Sequence, residues 1–150
     1  MGSFVTTKID SLISWARKRS RWIMPCGSDC CGIELMSALV THEPGSPFTA
    51  DTMRFTPGQS DVLLVMGTIS AKLAPTIVAA YEAMPEPKQV VAVGACACTG
   101  GLYNTYNVVA GIDKLIPVDV FVPGCPPDPK ALRDAIAKLD ECASEDKGYE

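Results

Sequence analysis

The sequence predicts an α/β domain built on a parallel sheet, and three observations carry that reading. The run 61–67 (DVLLVMG) is apolar almost without interruption and stops at glycine, the pattern of a strand buried on both faces. Residues 89–94 repeat the pattern after a helix-like stretch, so strand, helix and strand follow one another as in a βαβ unit. Cysteines stand at the ends of such elements, in Pro25-Cys26-Gly27-Ser28-Asp29-Cys30-Cys31-Gly32-Ile33-Glu34, in Gly94-Ala95-Cys96 and in Pro123-Gly124-Cys125-Pro126-Pro127. Loops at the carboxyl ends of strands in an open α/β sheet share one edge, so these three runs are expected to meet there.

Taken in order, residues 7–20 read as an amphipathic helix, with Ile9, Leu12, Ile13 and Ala16 at helical spacing and Arg17, Lys18 and Arg19 at its cationic end. Trp15 and Trp22 flank the basic cluster, which suits either a membrane or partner surface or an ordinary solvated helix. Residues 1–24 are therefore set apart from an expected domain over 25–142 and an acidic tail over 143–150. Pro25 stops the regular pattern, and the cysteine loop leads into a short buried helix carrying Ile33, Leu35, Met36, Leu39 and Val40. Cys30 and Cys31 fall at its start, where unpaired amides favour thiolates, and Glu34 is read as the first-turn acid that complements the dipole. Residues 41–58 form an irregular loop with a short strand expected near 48–55, and the single histidine, His42, lies in it without an assigned role.

A helix is expected over 68–84, kinked or restarted at Pro75. After the second apolar strand, Gly100 and Gly101 continue the Cys96 loop. A third strand over 118–122 leads to Gly124 and Cys125, and Pro126 and Pro127 open a last helix from Pro129 to about Cys142.

At 150 residues the chain has room for one domain with a sizeable core, and no run approaches the roughly 18 apolar residues of a membrane span. The net charge of −4 argues against general nucleic-acid binding, yet it hides an asymmetry between a basic N-terminal and an acidic C-terminal segment. The N-terminus lacks a signal-peptide pattern, so a reducing compartment is expected, and seven cysteines there read as metal ligands or buried thiols rather than disulfides. Thiolates converging from three loops are soft ligands, suited to iron-sulfur or zinc. Structural zinc usually takes close Cys-x-x-Cys pairs, which adjacent cysteines and two remote single ones fit poorly. A cysteine nucleophile would need a histidine partner, and His42 has no visible relation to any cysteine. Residues 94–101 lack both the dinucleotide fingerprint and the P-loop lysine. Burial as a small hydrophobe is the better reading for Cys142 and a fair one for Cys26 and Cys98.

Several motifs, in order, resemble the B subunit of respiratory complex I, the NADH-quinone oxidoreductase: Cys30-Cys31-Gly32-Ile33-Glu34-Leu35-Met36, Arg54-Phe55-Thr56-Pro57-Gly58-Gln59-Ser60-Asp61, Met84-Pro85-Glu86-Pro87-Lys88, Gly94-Ala95-Cys96-Ala97 with Gly100-Gly101, and the run 117–127. The resemblance extends from about Ile9 to Leu139. It implies a three-layer flavodoxin-like domain with a mostly parallel sheet, helices on both faces and a cluster at the carboxyl edge of the strands. It further implies that Cys30, Cys31, Cys96 and Cys125 ligate the iron of one 4Fe-4S cluster, with no catalytic residue in this chain. The implied role is to pass electrons to quinone in a proton-pumping NADH:quinone oxidoreductase, as a subunit that is not catalytic alone. Implied partners are a larger catalytic subunit that shares the quinone site, a ferredoxin-like two-cluster subunit and membrane-arm subunits, with no nucleic acid. The implied location is peripheral, on the cytoplasmic side of the inner (cell) membrane, without a transmembrane helix of the chain's own. Ile33, Met36 and Met66, from the apolar helix and the end of the 61–67 strand, are the expected quinone-side wall.

The chain is also similar to the small subunit of membrane-bound nickel-iron hydrogenases, and such a hydrogenase or a ferredoxin-dependent respiratory complex is the alternative. That branch carries Cys-x-x-Cys at the first site, where this chain has Ser28, so adjacent cysteines favour the quinone branch. Two family motifs depart: Arg-Phe-Gly appears as Pro47-Phe48-Thr49 and Pro-Arg-Gln as Pro57-Gly58-Gln59, which removes two basic side chains from a loop that meets the partner in the family.

Overall fold

The computed structural model describes residues 12, 15, 16, 20–40, 49–103 and 105–142. Four strands, β1 (Ile23–Gly27), β2 (Val62–Met66), β3 (Gln89–Val93) and β4 (Val120–Val122), form one sheet in the order β1-β2-β3-β4, with every pair parallel. The helices are α1 (Asp29–Val40), α2 (Ala74–Glu82), α3 (Gly94–Thr99) and α4 (Pro129–Cys142).

The central strands read as unbroken apolar runs because both faces of the sheet are covered. Val62, Leu64 and Met66 alternate onto one face, where they pack with Cys31 and Leu35 of α1 and with Leu132, Ala135, Ile136 and Leu139 of α4. Leu63 and Val65 point to the other face, against Ala74 and Ile77 of α2, Ala97 of α3, and Ile112 and Ile116. Outside β1, Met53 makes a single parallel bridge to Ile23, and the Arg54 amide donates to the Ile23 carbonyl at 2.8 Å. Counting that bridge as a strand reduced to one residue pair, the order becomes the 2-1-3-4-5 of flavodoxin-like sheets. The expected three-layer flavodoxin-like architecture is borne out, with its switch point between β1 and β2.

Several local expectations are corrected. Residues 23–27 form a strand through Pro25, which is tolerated because β1 borders the four-stranded sheet and one side of it has almost no ladder to complete. In place of a strand over 48–55 there is a 3-10 turn, Ala50–Thr52, closed by the Thr52 hydroxyl donating to the Thr49 carbonyl at 2.8 Å, followed by the Met53 bridge. The helix expected over 68–84 is shorter, because Pro75 opens α2 within its first turn instead of kinking it. Residues 94–99, expected as loop, are the short helix α3. Helix α1 is not a buried helix: only Cys31 and Leu35 are buried, while Ile33 is 74% exposed and Val40 84%.

Trp22 belongs to the domain edge rather than to a free amphipathic surface. Its carbonyl accepts the Asp61 and Val62 amides, and the Arg54 guanidinium lies 3.8 Å over its ring. Leu12 and Trp15 are exposed. The rest of the expected helix over 7–20, including Arg17, Lys18 and Arg19, lies outside the described residues, as do His42, Pro47, Phe48 and the acidic tail 143–150. Among the described residues no helix is long and apolar enough to cross a membrane.

Candidate metal centre

The turn from β1 into α1 is the first wall of the site. The Ser28 amide donates to the Met66 carbonyl at 3.2 Å, which ties this turn to the end of β2. Gly67 has φ +83°, and a Cβ built on it would stand 2.3 Å from the Ser28 carbonyl oxygen, so only glycine permits the two turns to come this close. Asp29 is the non-glycine residue held at positive φ, 57°, and its carboxylate accepts the Thr68 amide at 2.9 Å. That bond, with those from the Thr68 and Ser28 side chains, keeps the Asp29 carboxyl below its ordinary range. Asp29, not Glu34, is therefore the acid of the first turn of α1. Successive residues on a helix point about 100° apart, and Cys30 is accordingly exposed while Cys31 turns into the core.

The second and third walls are locked to each other and to the first. At the start of α3 the Ala95 amide donates to the Gly124 carbonyl at 2.8 Å, joining the exits of β3 and β4. A Cβ on Gly94 would lie 2.6 Å from the Cys31 sulfur, so the buried thiol of α1 rests directly on the beginning of α3. Cys96 is half-buried on α3, which ends at Gly100 with the Gly100 amide on the Cys96 carbonyl at 2.9 Å. The next residue, Gly101, backs the Cys96 thiol: its Cβ would be 3.1 Å from that sulfur. Gly100 and Gly101, expected to continue the Cys96 loop, end α3 directly behind Cys96. Cys125 is exposed in the turn that leaves β4.

Burial pushes the Cys31 thiol up, and so does the charge of Cys96, with smaller contributions from Cys125 and Cys30; the Gly67 amide opposes them. The Cys31 thiol thus feels the other three expected cysteines, Cys96 most strongly. Among the described residues no group of three or more His, Cys, Asp or Glu is placed to hold a single metal ion. A 4Fe-4S cluster carries its four thiolates on a larger body than one ion, so a wider spacing of sulfurs suits it better than zinc.

Cys26 and Cys98 face elsewhere. They pack against the core on the side of the sheet away from Cys31, and burial raises both. The Cys98 thiol donates to the Ala92 carbonyl at 3.5 Å. The side chain of Cys142 lies outside the described residues.

Beside the β1–α1 turn is a pocket of ≈410 Å³. It is lined by Ile33, Met36 and Met66, the three expected wall residues, together with Leu35, Pro25, Phe55 and the turn residues Gly27, Ser28, Asp29 and Gly32. The structure thus brings the cysteine turn and the apolar wall to one place. Phe55 and Asp29 were not anticipated from the sequence. A lone aromatic between Arg54 and Thr56, and a short acid directly before a helix, are the signals that mark them.

Comparison with known proteins bears on this arrangement. The chain is 50% identical over 138 residues to the B subunit of the NADH-quinone oxidoreductase of Bdellovibrio bacteriovorus, covering 92% of this chain and 74% of the relative. It is 48% identical over 145 residues to the protein of the same name from Geobacter metallireducens, covering 97% and 85%. A chain from the structure of the membrane-bound sulfane sulfur reductase, an archaeal respiratory membrane complex, superposes with a TM-score of 0.78 at 35% identity, covering 91% of this chain and 77% of that one. An NAD+-reducing [NiFe]-hydrogenase chain shares the fold with a TM-score of 0.54 at 19% identity, covering 82% and 92%. With a family model matching residues 13–139 and cysteine turns gathered at one sheet edge, the chain belongs to the family of the NADH ubiquinone oxidoreductase 20 Kd subunit.

Proposed function

We propose that this chain is the subunit through which a membrane-associated NADH:quinone oxidoreductase hands electrons to quinone, with Cys30, Cys31, Cys96 and Cys125 holding one 4Fe-4S cluster. What supports this is that the three cysteine-bearing segments are tied together at one sheet edge, by the Ala95 amide on the Gly124 carbonyl and by Cys31 against Gly94, beside an apolar pocket. When bound, the cluster supplies a one-electron relay whose potential follows local charge, hydrogen bonding and exposure. The protein's part is to hold four sulfurs and to keep the approach dry. Ile33, Met36 and Met66 offer a quinone head group an apolar wall. Reducing quinone to quinol takes two electrons and two protons, and Asp29 is the only titratable residue among the described residues of the pocket lining, so the protons are assigned to a partner.

Ile33, Met36 and Phe55, all exposed and lining one pocket beside the β1–α1 turn, call for a covering subunit. The larger quinone-site subunit fits that place, a ferredoxin-like two-cluster subunit supplies electrons, and membrane-arm subunits anchor the assembly on the cytoplasmic side. The test is electron paramagnetic resonance of the reduced, anaerobically purified membrane assembly. A 4Fe-4S signal that quinone reoxidises is expected, and its absence would leave only a structural module of the same fold.

The wall has its own prediction. Met36→Lys should leave the cluster signal in place while quinone reductase activity falls about tenfold or more, because it puts a charge on an apolar wall that a quinone head group would have to desolvate, and it replaces no cysteine. Full quinone activity in that variant would remove Met36 from the wall.

A second reading is favoured by one observation. Gly58 stands exposed where the family's Pro-Arg-Gln motif carries its arginine, in a chain that resembles one from the structure of the sulfane sulfur reductase complex. In that reading the complex is a ferredoxin-dependent relative with another terminal acceptor. Assaying the reduced assembly with quinone and with a sulfane sulfur compound in parallel separates the two.

A further inference from the structure

The β1–α1 turn must deliver two consecutive thiols to one place, one outward and one inward, and the residue before them has an unusual conformation. Asp29 is in the left-handed region at φ 57°, which costs most L-residues about 1–2 kcal/mol but is tolerated by Asp and Asn. Its carboxylate reaches across to the next crossover and accepts the Thr68 amide at 2.9 Å. The Ser28 hydroxyl lies within 3.5 Å of the same carboxylate and 3.4 Å of the Thr68 carbonyl. Neither element's own hydrogen bonding requires this clamp. Its effect is to hold the turn after β2 against the start of α1, where Gly67 already packs on the Ser28 carbonyl.

We propose that Asp29 is a positioning residue for the cysteine pair: its left-handed backbone and its hold on the Thr68 amide fix the direction in which Cys30 and Cys31 are presented, and its fixed negative charge lowers the reduction potential of a centre bound there. The inference rests on the cluster reading above. Like a metal ligand's outer partner, Asp29 acts on the centre through its neighbours, while its side chain also lines the apolar pocket. Because the carboxylate is exposed, the surrounding solvent screens its charge, and the shift in potential is correspondingly modest.

Three variants in the purified assembly separate the parts of this role. Asp29→Asn keeps an acceptor oxygen and tolerates the left-handed backbone, so it should retain the full resonance signal with a midpoint potential shifted in the positive direction. Asp29→Ala loses the acceptor and is strained, so it should bind less iron per chain and give altered g-values. Asp29→Gly relieves the strain without restoring the acceptor and should fall between them. Hydrogen exchange of the peptide containing Thr68 provides a readout that needs no cluster: it should quicken in Asp29→Ala and Asp29→Gly but not in Asp29→Asn. Wild-type iron content, potential and exchange in all three variants would overturn the inference. Unchanged exchange with a shifted potential would remove the clamp and overturn the positioning role. A missing signal in the unsubstituted assembly would instead overturn the cluster reading, and this inference with it.

Discussion

Changing Cys125 to serine should abolish the 4Fe-4S signal, and the same result is expected for Cys30→Ser, Cys31→Ser and Cys96→Ser. Serine is a harder, far less acidic donor than a thiol, and Cys26 and Cys98, the other cysteines nearest in sequence, pack on the opposite face of the sheet. The adjacent Cys30 and Cys31 do not replace each other, since one is exposed and the other buried. Cys26→Ser, Cys98→Ser and Cys142→Ser should keep full signal. Cys26 and Cys98 serve the opposite face of the sheet, and their replacement costs packing rather than ligation, about 1 kcal/mol of stability each. Resonance intensity normalised to iron per chain checks the division. Full intensity in Cys125→Ser, or loss in Cys142→Ser, would break the assignment of ligands.

Gly94→Ala should be nearly as damaging, although it removes no ligand. The new methyl would sit 2.6 Å from the Cys31 sulfur, and alanine would have to adopt φ +86°. Left-handed backbone and overpacking each cost about 1–3 kcal/mol, and the atom that must give way is a ligand sulfur resting on the turn. Iron content and cluster signal should both fall, and the assembly's melting temperature should drop by several degrees. Gly58→Ala is the matched control, because its Cβ would meet nothing within 4 Å. It should change neither quantity measurably. A Gly94→Ala protein with wild-type iron content would show that Cys31 does not stand where α1 and α3 meet.

The residues themselves explain which features could be read in advance. Runs such as 62–66 and 90–93 announce central strands because both faces of the sheet are covered, so their side chains are apolar. β1 escaped notice because Pro25 and Cys26 carry no strand pattern, and only its place at the sheet border makes the proline acceptable. Pro75 reads equally as a kink or a start, and the short turn before α2 decides for the start. Met36 and Ile33 look like core by their helical spacing. Their exposure follows from the direction in which Leu35 and Cys31 anchor α1, which periodicity alone does not give.

By itself the sequence determined the alternation of strands and helices, the placing of cysteines at element ends, and the family resemblance, because those depend on local apolar period and on residue identity. The tertiary structure alone decided that Met53 stands in for a missing strand, that Asp29 clamps the Thr68 amide, and that Phe55 joins Ile33, Met36 and Met66 around one pocket. Such pairings join residues far apart in the chain. They arise from how crossovers fold over a twisted sheet, and no local pattern encodes the distance between two turns that meet only after the sheet has formed.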